Sequence, residues 1–210
     1  MKIKNIIAHR GLWKNKKEQN SFASLNNAIL NNYGVEFDIR DYNGEIYISH
    51  DVIKSKKSKC LLENFLKFYN KIQSSSILAI NIKSDGLITD LKKILVKNKI
   101  KNYFIFDMSF PQTYIAKKNN LKIFLRISEF ENIYKNIAFE GLWVDCFEKI
   151  WFSNNLLRKI SNKKVCFVSP ELHNRSNYKY LWKMLKKYKK TKNFFICTDY
   201  PLKALKYFND

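Results

Sequence analysis

The chain has 210 residues, of which 46% are hydrophobic and 15% aromatic, and its formal net charge is +21. This length allows one sizeable core, and the apolar content excludes a disordered chain. No apolar run approaches the roughly 20 residues that cross a bilayer, and the first residues lack a signal-peptide pattern, so the sequence predicts a cytoplasmic protein.

Lysine provides most of the positive charge, since only five of the 39 lysines and arginines are arginine. Proteins that recognise nucleic-acid bases usually use arginine as well, and no nucleic-acid-binding motif is visible, so we expect no dedicated nucleic-acid binding. Two interpretations of the lysines stay open. They form either a solvated coat that reflects biased base composition, or a field that attracts phosphate substrates or an anionic membrane surface.

Short apolar runs rich in β-branched and aromatic residues alternate with amphipathic stretches along the chain. The runs predict strands at 5–10, 35–40, 77–83, 103–108, 122–128, 141–147, 164–170 and 194–200. Apolar residues three and four apart predict helices at 21–32, 61–72, 87–98 and 180–190. Eight strand–helix units without a linker predict one TIM (β/α)8 barrel domain over residues 1–210. Three of the four cysteines fall in predicted strands, as buried free thiols do.

The segment YNGEIYISHD at 42–51 interrupts this alternation. Asn43-Gly44 is typical of a tight turn, so residues 45–51 are predicted to return antiparallel against 35–40. The chain between this β-hairpin and the third barrel strand has room for one helix. We therefore expect little or no cap insertion over the barrel.

Catalytic groups of a TIM barrel collect at the C-terminal ends of its strands, and polar residues of this chain recur there. Glu36 and Asp38 are two residues apart and share one face of the second strand, as Asn81 and Lys83 do on the third. The other polar residues at or after strand ends are His9, Arg10, His50, Asp51, Asp107, Arg126, Asp145, Glu171, His173, Arg175 and Asp199.

Each of these residues alone has an ordinary structural explanation, for example His9 as a core histidine. Inside a barrel, however, two unpaired carboxylates at Glu36 and Asp38 cost several kcal/mol, which favours a cation between them. Oxygen ligands suit Mg²⁺ or Ca²⁺. Arg10 and Lys83 only donate hydrogen bonds, and phosphate is their natural partner. Together these residues predict phosphoester chemistry.

Four short motifs resemble, in order and spacing, those of the glycerophosphodiester phosphodiesterase family, part of the phosphatidylinositol-phospholipase-C-like barrels. They are His9-Arg10-Gly11, Glu18 to Ser21 with Gln19 as an extra residue, Glu36-x-Asp38 and His50-Asp51. Residues 198–201, Thr-Asp-Tyr-Pro, are similar to the family's closing strand. The resemblance covers most of the chain and is most specific over residues 1–51, whereas residues 100–190 match only in their alternation.

This resemblance implies metal-assisted hydrolysis of a glycerophosphodiester, a small molecule or lipid headgroup, to an alcohol and a glycerol phosphate. It implies that His9 and His50 are the general acid and base. The two carboxylates of the second strand would hold one divalent cation, Mg²⁺ or Ca²⁺. Arg10 and Lys83 would bind the substrate phosphate.

The chain departs from the family pattern in three ways. Asn81 stands where the family usually has an acidic ligand, which predicts weaker metal binding, and Glu171 or Asp145 is a candidate source of the missing charge. The stretch SPELHNR (169–175) matches no general family motif and brings Glu171, His173 and Arg175 to the mouth, so it predicts a subfamily with its own substrate. The third departure is the absent insertion after His50, which leaves the mouth open. Asp51 also lies at this mouth.

Three alternatives stay open. A related barrel could act on a phosphodiester linked to a sugar or surface polymer, which an open mouth would admit. A metal-free phospholyase could use Lys83 or Arg10 in place of the cation. A catalytically inactive barrel could bind phosphorylated ligands or an anionic membrane, but the presence of both His9 and His50 argues against it.

Overall fold

Strands and helices alternate along the residues that the structure, a computed structural model, describes: 1–56, 59–132, 137–160, 162–188 and 193–210. The described strands are β1 Ile6–Ala8, β2 Gly34–Tyr42, β3 Glu45–Ile48, β4 Cys60–Leu61, β5 Leu78–Ile82, β6 Tyr103–Phe106, β7 Phe124–Ile127, β8 Gly141–Val144, β9 Lys164–Val168 and β10 Phe194–Thr198. The described α-helices are α1 Phe22–Leu30, α2 Leu62–Lys71, α3 Ile88–Lys97, α4 Phe110–Lys118, α5 Asn154–Ile160, α6 Tyr178–Leu185 and α7 Pro201–Asn209.

Eight parallel strands close into a barrel. β1 pairs with β2 and with β10, and parallel pairing continues from β2 through β5 to β6 and from β10 through β9 and β8 to β7. A parallel bridge between Ile105 and Ile123 joins β6 to the chain entering β7. The predicted TIM (β/α)8 barrel is confirmed.

The predicted hairpin is also confirmed. β3 runs antiparallel to β2, and the intervening Asn43 and Gly44 have φ of 48° and 77°, as a tight two-residue turn requires. The pairing residues differ from the prediction: β3 pairs with Ile39–Tyr42 instead of 35–40, because β2 continues to Tyr42. β4 adds one short strand to β3, and residues 49–56 and 59–77 contain no cap domain.

Several predicted boundaries were wrong. Except for β2, which continues to Tyr42, the predicted strands ran past the true ends, because the polar residues after each apolar run already leave the sheet; β1, for example, ends at Ala8. Between β7 and β8, the described residues 128–132 and 137–140 contain no helix, unlike the connection that follows each of the other barrel strands. Of the predicted helix 180–190, α6 covers residues up to 185, and residues 189 and 190 lie outside the described residues.

Apolar side chains pack on both faces of the barrel wall. Val35, Phe37 and Ile39 face the helices, as the alternation along β2 predicts. Inside, aromatic rings fill the barrel: Phe104 stacks on Phe124 with 3.7 Å between ring centroids, and Phe106 stacks on Trp143 at 3.8 Å. These rings form the floor on which the polar residues of the mouth lie.

The cysteines are free thiols, as predicted. Cys146, Cys166 and Cys197 are buried, and Cys60 is half-buried. Burial raises the pKa of the Cys60 thiol to about 11 and that of Cys146 to about 12, so neither is an activated nucleophile. Among the described residues, no helix has both the length and the apolar character to cross a membrane.

Candidate active site

A pocket of about 400 Å³ opens at the C-terminal ends of the barrel strands. Phe106 and Trp143 of the aromatic floor line it. The predicted site residues that line it are His9, Arg10, Glu36, His50, Asn81, Lys83, Asp145, Glu171 and His173. Asp38 lies just beneath, in contact with Arg10, whereas Asp51 and Arg175 are not among the lining residues.

His9 follows β1 and is oriented by a carboxylate from the far end of the chain. Its Nδ1 lies 2.6 Å from Oδ1 of Asp199, and its backbone N–H donates to the carbonyl of Thr198. With Nδ1–H donated to Asp199, Nε2 faces the pocket, 3.9 Å from Oε2 of Glu36. A histidine fixed in this tautomer can accept or return a proton at Nε2.

The backbone after His9 turns sharply, and this turn explains the His-Arg-Gly sequence. Arg10 has φ of 55°, and its N–H donates to Oε2 of Glu36 at 3.0 Å. Gly11 has φ of 93°, and a Cβ there would lie 2.6 Å from the carbonyl carbon of Ser24. Glycine is therefore required for the chain to pass α1 and direct Arg10 at the carboxylates.

Glu36 is a buried carboxyl group whose pKa lies near neutral pH. It is 1% exposed, and desolvation, followed by repulsion from Asp38, raises its pKa to about 7. The opposite charges of His9 and Arg10 partly offset that rise. A cation bound beside Glu36 would favour its ionised form.

Asp38 is fully buried and already has charged and polar partners. Its Oδ2 accepts a hydrogen bond from Asn20 Nδ2 at 2.8 Å and lies 2.9 Å from Arg10 Nε, a contact whose angle does not suit a hydrogen bond. Its Oδ1 lies 3.5 Å from Lys83 Nζ and has no hydrogen bond. The expectation that the carboxylates are unpaired is therefore wrong for Asp38.

The oxygens next to this carboxylate suit a divalent cation. Asp38 and Asn81 are partners in the β2–β5 register, and Oδ1 of each is buried without a hydrogen bond. With Glu36 they offer two carboxylates and one amide, which are the hard oxygen donors that Mg²⁺ and Ca²⁺ prefer. Among the described residues, no cluster of three or more His, Cys, Asp and Glu could hold a metal, so Asn81 is the third protein oxygen that this site offers beside the two carboxylates.

Glu171, the other candidate ligand, is bound to the end of β10. Its Oε1 accepts hydrogen bonds from the hydroxyl of Thr198 and from the N–H of Asp199, the latter at 3.2 Å. Its Oε2 is buried and has no partner, and desolvation raises its pKa. Glu171 thus supports the segment that carries Asp199, and one of its oxygens remains available.

Two cations reach this carboxylate layer beside the pocket. Lys83 follows β5, and its Nζ lies 3.2 Å from Asp107 Oδ2 in addition to its contact with Asp38. Arg10 contacts the other oxygen of Asp38. Both cations thus contact Asp38 and also line the pocket.

His50 lies on the rim. Its Nδ1 is 2.8 Å from Asp51 Oδ1, and the two side chains are 47% and 88% exposed. That hydrogen bond and the charge of His50 lower the pKa of Asp51. Arg40 Nε donates to the carbonyl of His50 at 2.8 Å and holds the rim loop against the end of β2.

The opposite wall carries the remaining predicted residues. His173 Nε2 lies 2.6 Å from Asp145 Oδ1, while Arg175 donates to the carbonyl of Cys146 and supports the wall from outside. Asp199, Asn20 and Arg126 were given no role in the sequence prediction. The sequence marks Asp199 and Arg126 as polar residues at strand ends, and Asn20 and Asp199 also fall in the Glu18–Ser21 and Thr-Asp-Tyr-Pro matches.

Comparison with known proteins shows what this barrel is similar to. A protein from Galdieria sulphuraria assigned as a glycerophosphodiester phosphodiesterase aligns with 98% of this chain and 98% of its own at a TM-score of 0.77 and 13% identity. The chain has the fold of the glycerophosphodiester phosphodiesterases. Such an enzyme from Parabacteroides distasonis aligns with 98% of this chain and 96% of its own, at a TM-score of 0.66 and 19% identity.

A third solved structure carries a bound product. An Oleispira antarctica phosphodiesterase in complex with sn-glycerol-3-phosphate aligns with 98% of this chain and 97% of its own, at a TM-score of 0.68 and 15% identity. At these identities the likeness establishes the fold. No protein-family model and no curated protein matches the chain.

Proposed function

We propose that the protein is a phosphodiesterase that hydrolyses a glycerophosphodiester to an alcohol and a glycerol phosphate. The arrangement of His9 carries the proposal, because this histidine is held by Asp199 and faces a pocket lined by Arg10 and Lys83. A pocket with donors for a phosphate and a histidine in a fixed tautomer suits phosphoester chemistry. The bound product of the Oleispira antarctica neighbour supports the same substrate class.

His9 and His50 share the proton transfers. One takes the proton of the attacking hydroxyl and the other protonates the leaving alkoxide, and both roles suit an imidazole near neutral pH. Arg10 and Lys83 bind the phosphoryl oxygens and stabilise the charge that develops on them. Asp199 is a positioning residue, since its Oδ1 contacts Nδ1 of His9 and not Nε2, the nitrogen assigned to proton transfer.

Glu36, Asp38 and Asn81 would hold one Mg²⁺ or Ca²⁺. When bound, this cation supplies charge neutralisation for the phosphate and acidifies a bound hydroxyl. The Oδ1 atoms of Asp38 and Asn81, which are buried without a hydrogen bond, support this assignment. The metal-free alternative has its own support, because Arg10 and Lys83 already contact Asp38 and could provide the charge.

A panel of glycerophosphodiesters, assayed in EDTA and with added Mg²⁺, Ca²⁺ or Mn²⁺, tests the function. We expect turnover that depends on a divalent cation and a loss of kcat on the order of 10²–10⁴ in His9→Ala and in His50→Ala. Full activity after chelation would favour the metal-free reaction. An absence of turnover under every condition would favour the inactive barrel, and full activity of both variants would reject the acid–base pair.

A further inference from the structure

The wall formed by β8 and the loop after β9 carries a third His–Asp pair that the proposed chemistry does not use. His173 Nε2 lies 2.6 Å from Asp145 Oδ1, and the same oxygen accepts the N–H of Cys146 at 2.8 Å. Asp145 is buried, and His173 lines the pocket. Because Nε2 is committed to Asp145, Nδ1 is the ring nitrogen left for a ligand, and no described residue hydrogen-bonds to it.

The loop that presents His173 is fastened at several points. Glu171 is hydrogen-bonded to Thr198 and Asp199 on β10, and Arg175 donates to the carbonyl of Cys146 at 2.8 Å. Between these anchors the chain forms a single turn over Pro170–His173. A histidine whose loop and ring are both fixed loses little conformational entropy when it binds a ligand group.

An aromatic ring lies beside this histidine. The Phe147 ring centroid is 4.8 Å from that of His173, and Phe147 lines the same pocket. The guanidinium carbon of Arg126 lies 5.7 Å from the Phe147 centroid, and Arg126 is ion-paired with Asp107 and Glu131. The wall thus combines an apolar ring with fixed hydrogen-bonding groups.

The charges around Phe147 decide which alcohol fits. The carboxylates next to Phe147 already have partners: Asp145 contacts His173, Asp107 contacts Arg126 and Lys83, and Glu129 accepts the backbone N–H groups of residues 147–149. A quaternary ammonium group would lie beside the Arg126 guanidinium and would have to compete with these partners for a carboxylate. An uncharged alcohol with several hydroxyls needs no counter-ion, and it can hydrogen-bond to Nδ1 of His173 while its carbon atoms pack on Phe147.

We propose that His173 and Phe147 form a subsite for an uncharged, hydroxyl-rich leaving alcohol. This inference rests on the proposed phosphodiesterase function and adds the class of alcohol to it. The loop that forms the subsite is the SPELHNR stretch, whose sequence matches no general family motif.

Two diesters with the same glycerol phosphate, glycerophosphoglycerol and glycerophosphocholine, test the proposal on the full chain. We expect kcat/KM for the glycerol diester to exceed that for the choline diester by about ten-fold or more, the worth of one or two net hydrogen bonds. The preference should reside mainly in KM, because the subsite contacts the alcohol and not the phosphorus.

A pair of substitutions separates the two nitrogens of His173. His173→Gln keeps a group near Nε2 for Asp145 and loses the group at Nδ1, so the ratio of the two kcat/KM values should fall towards one. His173→Asn keeps a polar group near Nδ1 and should retain more of the ratio than His173→Gln. Lys179→Gln, an exposed change on α6, should leave the ratio at its wild-type value.

The outcomes distinguish the two proposals. If the wild type hydrolyses both diesters equally well, or if His173→Gln folds and keeps the full preference, the subsite is wrong and the phosphodiesterase function stands. If the wild type hydrolyses neither these diesters nor any other in the panel, the proposed function fails and the subsite with it. Thermal unfolding of each variant identifies any loss of activity caused by misfolding.

Discussion

Glu36 occupies a position that costs the folded protein free energy. Its pKa rises from 4.5 in the exposed state to about 7, because burial and Asp38 disfavour the charged form. The folded state therefore binds more protons than the unfolded state between these values, and this group makes the protein less stable as pH rises through that window. The full cost, on the order of 3 kcal/mol, applies above the folded pKa.

Removing this charge should stabilise the protein without metal. We expect Glu36→Gln, unfolded by urea in EDTA, to match the wild type near pH 4.5 and to become progressively more stable than it up to about pH 7. The amide oxygen can still accept the N–H of Arg10. Parallel stability curves for the two proteins across this range would show that Glu36 titrates as an exposed carboxyl.

Asp199 is the second residue-scale feature, since it sets the tautomer of His9. Asp199→Asn should fold normally and lower kcat by on the order of 10²–10⁴, because the amide can no longer stabilise a protonated imidazole. Asp90→Asn, an exposed carboxylate change on α3, is the control and should keep full activity. If Asp199→Asn kept the kcat and the pH profile of the wild type, Asp199 would have no role in the mechanism.

At the scale of elements, the β1–α1 turn positions the site. Gly11 and Gly44 both have positive φ, but a Cβ would meet the Ser24 carbonyl group at Gly11 and nothing within 4 Å at Gly44. We expect Gly44→Ala to cost only the left-handed backbone strain of roughly 1–2 kcal/mol. Gly11→Ala should cost more and should also abolish activity, measured by denaturant unfolding and diester turnover. Equal stability losses in the two variants would contradict the close approach to α1.

The register between β2 and β5 makes a prediction about metal affinity. It places Asn81 opposite Asp38, so Asn81→Glu adds a carboxylate beside two others. We expect calorimetric titration of Mg²⁺ or Ca²⁺ to show one weak site in the wild type, tighter binding in Asn81→Glu and loss of the site in Asp38→Ala. If both variants gave the same titration heats as the wild type, any bound metal would lie at another site.

The elements also show which features of the structure could be predicted from the sequence. Apolar alternation identifies β2 and places Glu36 and Asp38 on its inner face, because that pattern is local. The partners of the site residues are not local: Asp199 and His9 are 190 positions apart, and only the closure of the barrel brings them together. The left-handed turn at Arg10 could not be predicted from apolar alternation either, since polarity alone does not show where a strand leaves the sheet.

At the scale of the whole molecule, the net charge of +21 bears on which surfaces the protein binds. Two strongly exposed apolar residues lie close to the mouth along the chain: Val52 comes two residues after His50, which lines the pocket, and Phe130 follows the C-terminal end of β7. Lysines of the β1–α1 turn, among them Lys16 at the pocket itself, lie on the same side. Cationic and apolar side chains together at one surface are typical of contact with an anionic bilayer.

We therefore predict weak, mouth-first binding to anionic vesicles. Cosedimentation with phosphatidylserine vesicles should exceed that with phosphatidylcholine and should fall as NaCl rises, because surface electrostatics are screened within about 10 Å at 0.1 M salt. Val52→Ser combined with Phe130→Ser should weaken binding further. Leu30→Ser combined with Val96→Ser, near the C-terminal ends of α1 and α3 on the opposite side of the barrel, is the matched control and should not. Equal losses from both pairs would mean binding without orientation, and no binding at low salt would mean that the lysines form only a solvated coat.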